Sequence, residues 1–117
     1  MDAVKIKRIY DEPSADDGYR VLVDRLWPRG IRKDAAKLDE WVREIAPSTE
    51  LRKWFNHKPD RFDEFEARYR QELQSKQELL TGLKQHAQKQ PLCLLYAAKD
   101  SKFNQAAVLL KVLEEGL

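Results

Sequence analysis

The sequence predicts an α/β fold: a single small domain with a three-stranded mixed sheet packed with about five helices. Three observations predict it. Short apolar runs at residues 4–9, 19–23 and 92–96 have strand length and are bounded by turn residues. The stretch between the second and third runs carries apolar residues at helical spacing. The 117 residues, 42% hydrophobic and 36% charged, suit one domain (1–117) with one core and a densely charged surface.

Taken in order, Val4, Ile6 and Ile9 alternate with Lys5, Lys7 and Arg8, the pattern of a strand with one wet or edge face. Residues 11–18 read as a loop closed by the Asp17-Gly18 turn signal. In the second strand Tyr19, Val21 and Val23 share one face, and Arg20, Leu22 and Asp24 the other. The eight-residue link is too short for a helical crossover, so these two strands are expected to be antiparallel or only loosely adjacent.

Leu38, Trp41, Val42 and Ile45 then fit an amphipathic helix over 34–46, although Trp41 and residues 43–45 could also extend. Pro47 stops it. Ser48 is an N-cap for a short helix through Phe55, with Glu50 in the first turn. After a break at 56–59, Asp60 is positioned to cap a helix whose Phe62, Phe65, Tyr69 and Leu73 form one stripe. Ser75 and Glu78 have capping-box spacing, which predicts a break or kink before Leu79, Leu80, Leu83 and Ala87. Pro91 introduces the third strand, whose continuous apolar run predicts burial on both faces. Asp100 or Ser101 would cap a last helix that buries Phe103, Ala106, Ala107, Leu110 and Leu113.

Composition restricts the chemistry. With 22 bases against 20 acids the net charge is +2, so nothing draws nucleic acid or a membrane in bulk, and an anion site must be local. Cys93 is the single cysteine, and His57 and His86 are far apart; this excludes an internal disulfide and argues against a zinc site. No cofactor is indicated. The apolar run through Leu94 and Ala98 is far short of a membrane span, and no apolar stretch follows a basic start. A cytoplasmic location with a reduced thiol is expected.

The second and third strands are joined by a long helical excursion, which permits them to be parallel with adjacent carboxyl ends. One end would bring Asp24, Arg25, Trp27 and Arg29; the other would bring Tyr96, Lys99 and a helix start near Ser101. Guanidinium forks and a helix N-terminus both suit phosphate, sulfate or carboxylate. The competing reading is structural: Asp24 could pair with Arg25, Arg8 or Arg52, and Trp27-Pro28 could be a packed turn with Gly30 at positive φ. Cys93, inside an apolar strand, reads as core. His57 ends the short helix, where it could serve terminal carbonyls or act as a base.

Three segments, RVLVDRLWPRG (20–30), APSTELRKWFNH (46–57) and LLYAAKDSKFNQA (94–106), carry a resemblance to the YeaO-like bacterial family, domain of unknown function 488. The resemblance covers essentially the whole chain. It implies that Arg20, Asp24, Arg25, Trp27, Pro28, Arg29 and Gly30 form the family signature. Ser48, Leu51, Arg52, Trp54, His57, Tyr96, Lys99 and Asn104 look like its other motif positions. Longer relatives carry a Cys-His-Arg element after the last strand; Asn104-Gln105-Ala106 stands there in this chain, which argues against carrying over thiol or metal chemistry. The resemblance implies no established activity.

The leading expectation is a protein for an anionic small molecule, bound by Arg25, Trp27, Arg29, Arg52, Tyr96, Lys99, Ser101 and Asn104. In an enzymatic version Asp24 or His57 would move a proton. The alternative is a nucleic-acid or regulatory interaction module, with Arg8, Arg29, Arg32 and Lys33 on phosphates and Trp27 stacking. Nucleic acid is not favoured, because the charge is near neutral and no basic recognition helix is present. Oligomeric state is not legible.

Overall fold

The computed structural model describes residues 4–116. Four strands, β1 (Val4–Arg8), β2 (Tyr19–Leu22), β3 (Glu40–Trp41) and β4 (Leu92–Tyr96), form one sheet in the order β1-β4-β2-β3. Every pairing among them is parallel, with Val21 opposite Leu94 and Ile6 opposite Leu94 on the other side. Five α-helices accompany the sheet: α1 (Lys33–Ala36), α2 (Thr49–Phe55), α3 (Phe62–Leu73), α4 (Gln77–Lys89) and α5 (Gln105–Gly116).

Strand alternation sorts the core into two layers. Val21, Leu92, Leu94 and Tyr96 join the larger cluster with Phe62, Phe65, Tyr69, Leu83 and Leu109 from the long helices. Leu22, Cys93 and Leu95 face the other way, onto Ile9 and Ala36, with Trp27, Ile31 and Trp41 packed around them. All five residues of β4 are buried, as its unbroken apolar run predicts for a strand covered on both faces.

The sheet corrects two expectations. It has four strands rather than three, and it is parallel rather than mixed. The pairing of β2 with β4, the second and third expected strands, is parallel as predicted. β1 and β2 are not antiparallel; they run the same way on either side of β4. The link, residues 9–18, holds one 3₁₀ turn, Ala15–Asp17, and no α-helix, and its length suffices: a five-residue strand is ~17 Å long and ten residues can span up to ~33 Å. Buried Asp17 holds this link to both strands, with Lys5 Nζ at 2.8 Å, Lys7 Nζ at 3.2 Å and Arg20 Nη1 at 2.5 Å.

The helix expected over 34–46 is also replaced. α1 ends at Ala36, Lys37 takes a left-handed φ of 53°, and the chain runs through β3 into a single 3₁₀ turn at Arg43–Ile45. Trp41 supplies the reason: its Nε1 donates to the Asp24 carbonyl at 2.7 Å and its ring meets Trp27 edge-on at 5.3 Å. Tertiary contacts therefore override a spacing that also fits a helix.

Three caps differ from expectation while the breaks they mark are real. Asp60 lies within a 3₁₀ turn, Pro59–Arg61, and α3 begins only after it, with Arg61 at the N-cap. Ser75 does not cap α4; its hydroxyl donates back to the Glu72 carbonyl at 2.9 Å as α3 ends. The last helix starts at Gln105, after Asp100 and Ser101, and Asn104 Oδ1 accepts the Ala107 N–H at 2.9 Å. Ser48 behaves as predicted, accepting the Leu51 N–H at 3.1 Å.

Candidate functional site

Parallel pairing of β2 with β4 sets their carboxyl ends side by side, and the chain leaving each end walls a cleft of about 670 Å³. After β2 come Asp24, Arg25, Leu26, Trp27, Pro28 and Arg29; after β4 come Ala97, Ala98, Phe103, Asn104 and Gln105. Helix α2 and its exit add Thr49, Arg52, Lys53, Asn56 and His57, while Tyr10 closes one side. A ligand cleft outside the carboxyl edge is where a parallel sheet places one.

Asp24 is half-buried in this cleft. Its Oδ2 accepts the Ala97 N–H at 3.1 Å and its Oδ1 accepts from Gln105 Nε2. Burial pushes the carboxyl up to about 6, against the opposing pull of the Ala97 N–H, the Arg52 charge and the Gln105 amide. Among the described residues Asp24 makes no ion pair, so the structural alternative of pairing with Arg8, Arg25 or Arg52 is not realised. Tyr69 lies near enough for Asp24 and Glu72 to act on it; burial is the main reason its phenol stays far above its usual range.

The arginines divide by what they touch. Arg25 turns its Nε to the Pro47 carbonyl at 3.2 Å and its Nη2 to the Ala46 carbonyl at 3.1 Å, so it holds the segment entering α2. Arg29 and Arg52 are exposed at the cleft, as is Lys53, and among the described residues none of the three side chains makes an ion pair or hydrogen bond. His57 is likewise exposed at the cleft, following Asn56; both take left-handed φ values, 54° and 50°. Two successive non-glycine residues there are uncommon, and they swing the chain sharply away from α2.

Trp27 is half-buried; its Nε1 donates to the Ile31 carbonyl at 2.7 Å, so Trp27-Pro28 is a packed turn that also lines the cleft. Gly30 has the positive φ expected of it, 76°. Asn104 reaches the cleft wall with both ends of its amide engaged, Oδ1 on the α5 cap and Nδ2 on the Asp100 carbonyl at 2.9 Å.

Three expected site residues lie elsewhere. Tyr96 faces the helical side of the core and is 2% exposed. Lys99 and Ser101 are exposed and do not line the cleft. The expected helix start near Ser101 is instead a turn in which Asp100 Oδ1 accepts the Lys102 and Phe103 N–H groups at 2.9 and 3.0 Å. Cys93 is fully buried, and burial pushes its thiol up to about 11.

Sequence reasoning missed Lys53, Gln105, Tyr10 and Phe103. Lys53 was legible as the neighbour of Arg52 on the same short helix, and Gln105 stands in the 94–106 segment. Nothing in the spacing links Tyr10 to the cleft; it arrives because β1 lies beside β4, and its hydroxyl donates to the Arg29 carbonyl at 2.9 Å.

The chain is similar to "Uncharacterized protein YeaO" of Escherichia coli K12, 49% identical over 106 residues that cover 91% of this chain and 92% of that protein. "Uncharacterized protein Rv3073c" of Mycobacterium tuberculosis H37Rv is 54% identical over 70 residues, 60% of this chain and 59% of that protein. "Uncharacterized protein Mb3100c" of Mycobacterium bovis matches to the same extent. No solved structure matches. Over residues 3–117 the chain fits the family described as the inactive DUF488-N3 subclade, and with the YeaO likeness along most of its length it belongs to this YeaO-like family of domain of unknown function 488.

Proposed function

We propose that this protein binds an anionic small molecule in the cleft at the carboxyl edge of its sheet, without turning it over. The observation that carries the reading is the set of unengaged cations: Arg29, Arg52 and Lys53 face one cleft, and among the described residues none has an acidic partner. Arginine and lysine left together without counter-ions repel one another, and a phosphate or carboxylate relieves that repulsion. The cleft volume of about 670 Å³ is within the range for small-ligand sites. The description of the subclade as inactive supports binding over catalysis, and so does the absence of a Cys-His-Arg element at Asn104-Gln105-Ala106.

In this reading Arg29, Arg52 and Lys53 hold the anion, His57 adds a hydrogen-bond donor, and Arg25 and Asn104 keep the walls in place. Trp27 is half-buried, held by its Nε1 bond to the Ile31 carbonyl and its contact with Trp41, which weighs against the alternative in which it stacks on a base. Calorimetric titration with inorganic phosphate, phenyl phosphate and benzoate tests the reading. Binding that weakens about tenfold or more in Arg52→Ala and in Arg29→Ala supports it, the effect expected on losing a charged hydrogen bond. Wild type and both variants responding alike to every compound would overturn it.

A further inference from the structure

We propose that the ligand is a zwitterion, an α-amino acid with an apolar side chain, whose ammonium meets Asp24 and whose carboxylate meets Arg52. This rests on the anion-binding reading above and names the ligand class for the same cleft.

An anion site that carries an unpaired carboxylate poses a contradiction. Asp24 would repel any ligand that is only an anion, yet it lines the cleft with Arg52 near enough to act on it electrostatically and not in ion-pair contact. A carboxylate has roughly four acceptor directions, and Asp24 uses one on the Ala97 N–H and one on the Gln105 amide. The remaining directions suit a cationic donor. A ligand with one charge of each sign resolves the contradiction, because it places an ammonium between Asp24 and its own carboxylate. Arg25 cannot take that place, since its guanidinium is turned to the Ala46 and Pro47 carbonyls.

The apolar part of the ligand follows from a second observation. Among the described residues, the large hydrophobic side chains left exposed are Tyr10 and Leu26, 43% and 61% exposed, and both line this cleft. Phe103 stands with them, half-buried. Exposed apolar surface gathered at a charged cleft is covered when a ligand brings apolar surface of its own.

The two ligand classes have opposite dependence on pH. Burial pushes the Asp24 carboxyl up to about 6, so above that value it is an anion that attracts an ammonium and repels a simple carboxylate. A zwitterion therefore binds more weakly as pH falls through 6, and a simple anion more tightly. The titratable and charged groups that share the cleft with Asp24 are Tyr10 after β1, Arg25 and Arg29 on its own loop, and Arg52, Lys53 and His57 from α2 and its exit; Tyr69 from α3 is near it and Gln105 is neutral. A His57→Gln background removes the imidazole from the comparison.

The test is calorimetry with phenylalanine, N-acetylphenylalanine and phenethylamine at pH 5 and 7.5, on wild type, Asp24→Asn and Arg52→Ala, each first checked for an unchanged fold by circular dichroism. The expected result is that phenylalanine binds at pH 7.5, each single-charge analogue at least tenfold more weakly, with phenylalanine affinity falling at pH 5. Asp24→Asn should lower phenylalanine affinity at least tenfold and leave N-acetylphenylalanine unchanged or tighter. If N-acetylphenylalanine binds as tightly as phenylalanine and tightens at pH 5, the zwitterion inference is overturned while the anion reading stands. If phenylalanine does not bind at all, the inference is overturned, and the phosphate and benzoate titrations decide the anion reading separately.

Discussion

Asp24 Oδ2 accepts the Ala97 N–H at 3.1 Å and so ties together the two strand ends that frame the cleft. The backbone ladder between those strands reaches the Val23 N–H, which donates to the Leu95 carbonyl at 3.0 Å. The carboxylate continues it by one step, with a side-chain acceptor in place of a carbonyl. A group lining the cleft is thus also a structural bond, and its protonation affects both.

The sign of that coupling is testable. The folded-state value of about 6 lies above the ~3.9 of an unfolded chain, so the folded protein holds the proton more tightly. Stability from this group is therefore highest below pH 4 and declines as pH rises to 6. The gap of about two pH units corresponds to at most ~3 kcal/mol, and partial solvent exposure reduces it to the order of 1–2 kcal/mol. Asp24→Asn should gain that much relative to wild type at pH 7.5 and little at pH 4, read from urea midpoints. An equal difference at both pH values would contradict the assignment.

Asp17 has the opposite sign. Burial opposes its ionisation, but Lys5, the Ser14 N–H, Lys7 and Arg20 outweigh that and hold its carboxyl well below the usual range. Its contribution is present above the unfolded-state value and is lost as pH falls. Asp17→Ala also leaves the Arg20 guanidinium, 4% exposed, without its counter-ion. A loss of about 3–5 kcal/mol is expected at pH 7, the usual cost of orphaning a buried charge, measured by urea denaturation. A loss under about 1 kcal/mol would show that the crossover does not depend on this cluster.

Helices α2, α3 and α4 and the buried strands were legible because their periodicity and their packing agree, whereas α5 buries Val108 and Leu109 and leaves the expected Ala107 and Leu110 half-buried. Phe62, Phe65, Tyr69 and Leu73 form a helical stripe in sequence and all four are buried in the structure. β3 was not legible, because Leu38, Trp41, Val42 and Ile45 satisfy helical spacing while Trp41 is placed by bonds to Asp24 and contacts with Trp27, both distant in sequence. Half of the cleft followed from the parallel pairing of two recognisable strands. Tyr96 went astray because alternation along β4 turns it toward the helices, and Ser101 because Asn104, rather than an earlier residue, caps α5. Local pattern identifies which chain segments meet at the cleft; side-chain direction depends on register and on the last cap.

Two glycines with nearly the same backbone angle should respond differently to substitution. Gly18 has φ 72°, and a Cβ there would lie 2.1 Å from the Pro91 carbonyl oxygen. Gly30 has φ 76° and meets nothing within 4 Å. Gly30→Ala should cost about 1–2 kcal/mol, the left-handed penalty alone. Gly18→Ala adds a backbone clash at the entry to β2 and should cost several times as much or prevent folding. Thermal unfolding of the two variants checks this; equal losses would mean that the β2 entry shifts away from Pro91 without strain.

Arg25 and Arg52 differ in what they engage within one cleft. Both line it, but Arg25 is engaged with the Ala46 and Pro47 carbonyls, while Arg52 has no partner among the described residues. Those two carbonyls precede the Ser48 cap, whose N–H and hydroxyl both bond Glu72 on α3, at 2.8 and 2.6 Å. Arg25→Ala therefore loosens the segment that orients α2, and Lys76, which shares the Ala46 carbonyl at 3.1 Å, replaces only part of it. A stability loss of about 1–3 kcal/mol is expected from two charge-assisted bonds. Arg52→Ala should leave the unfolding midpoint nearly unchanged and lose ligand affinity, since an exposed unpaired arginine contributes little to folding. Paired urea denaturation and calorimetric titration give both numbers for both variants. If Arg25→Ala leaves stability intact and Arg52→Ala lowers it, the division of labour between the two arginines is reversed.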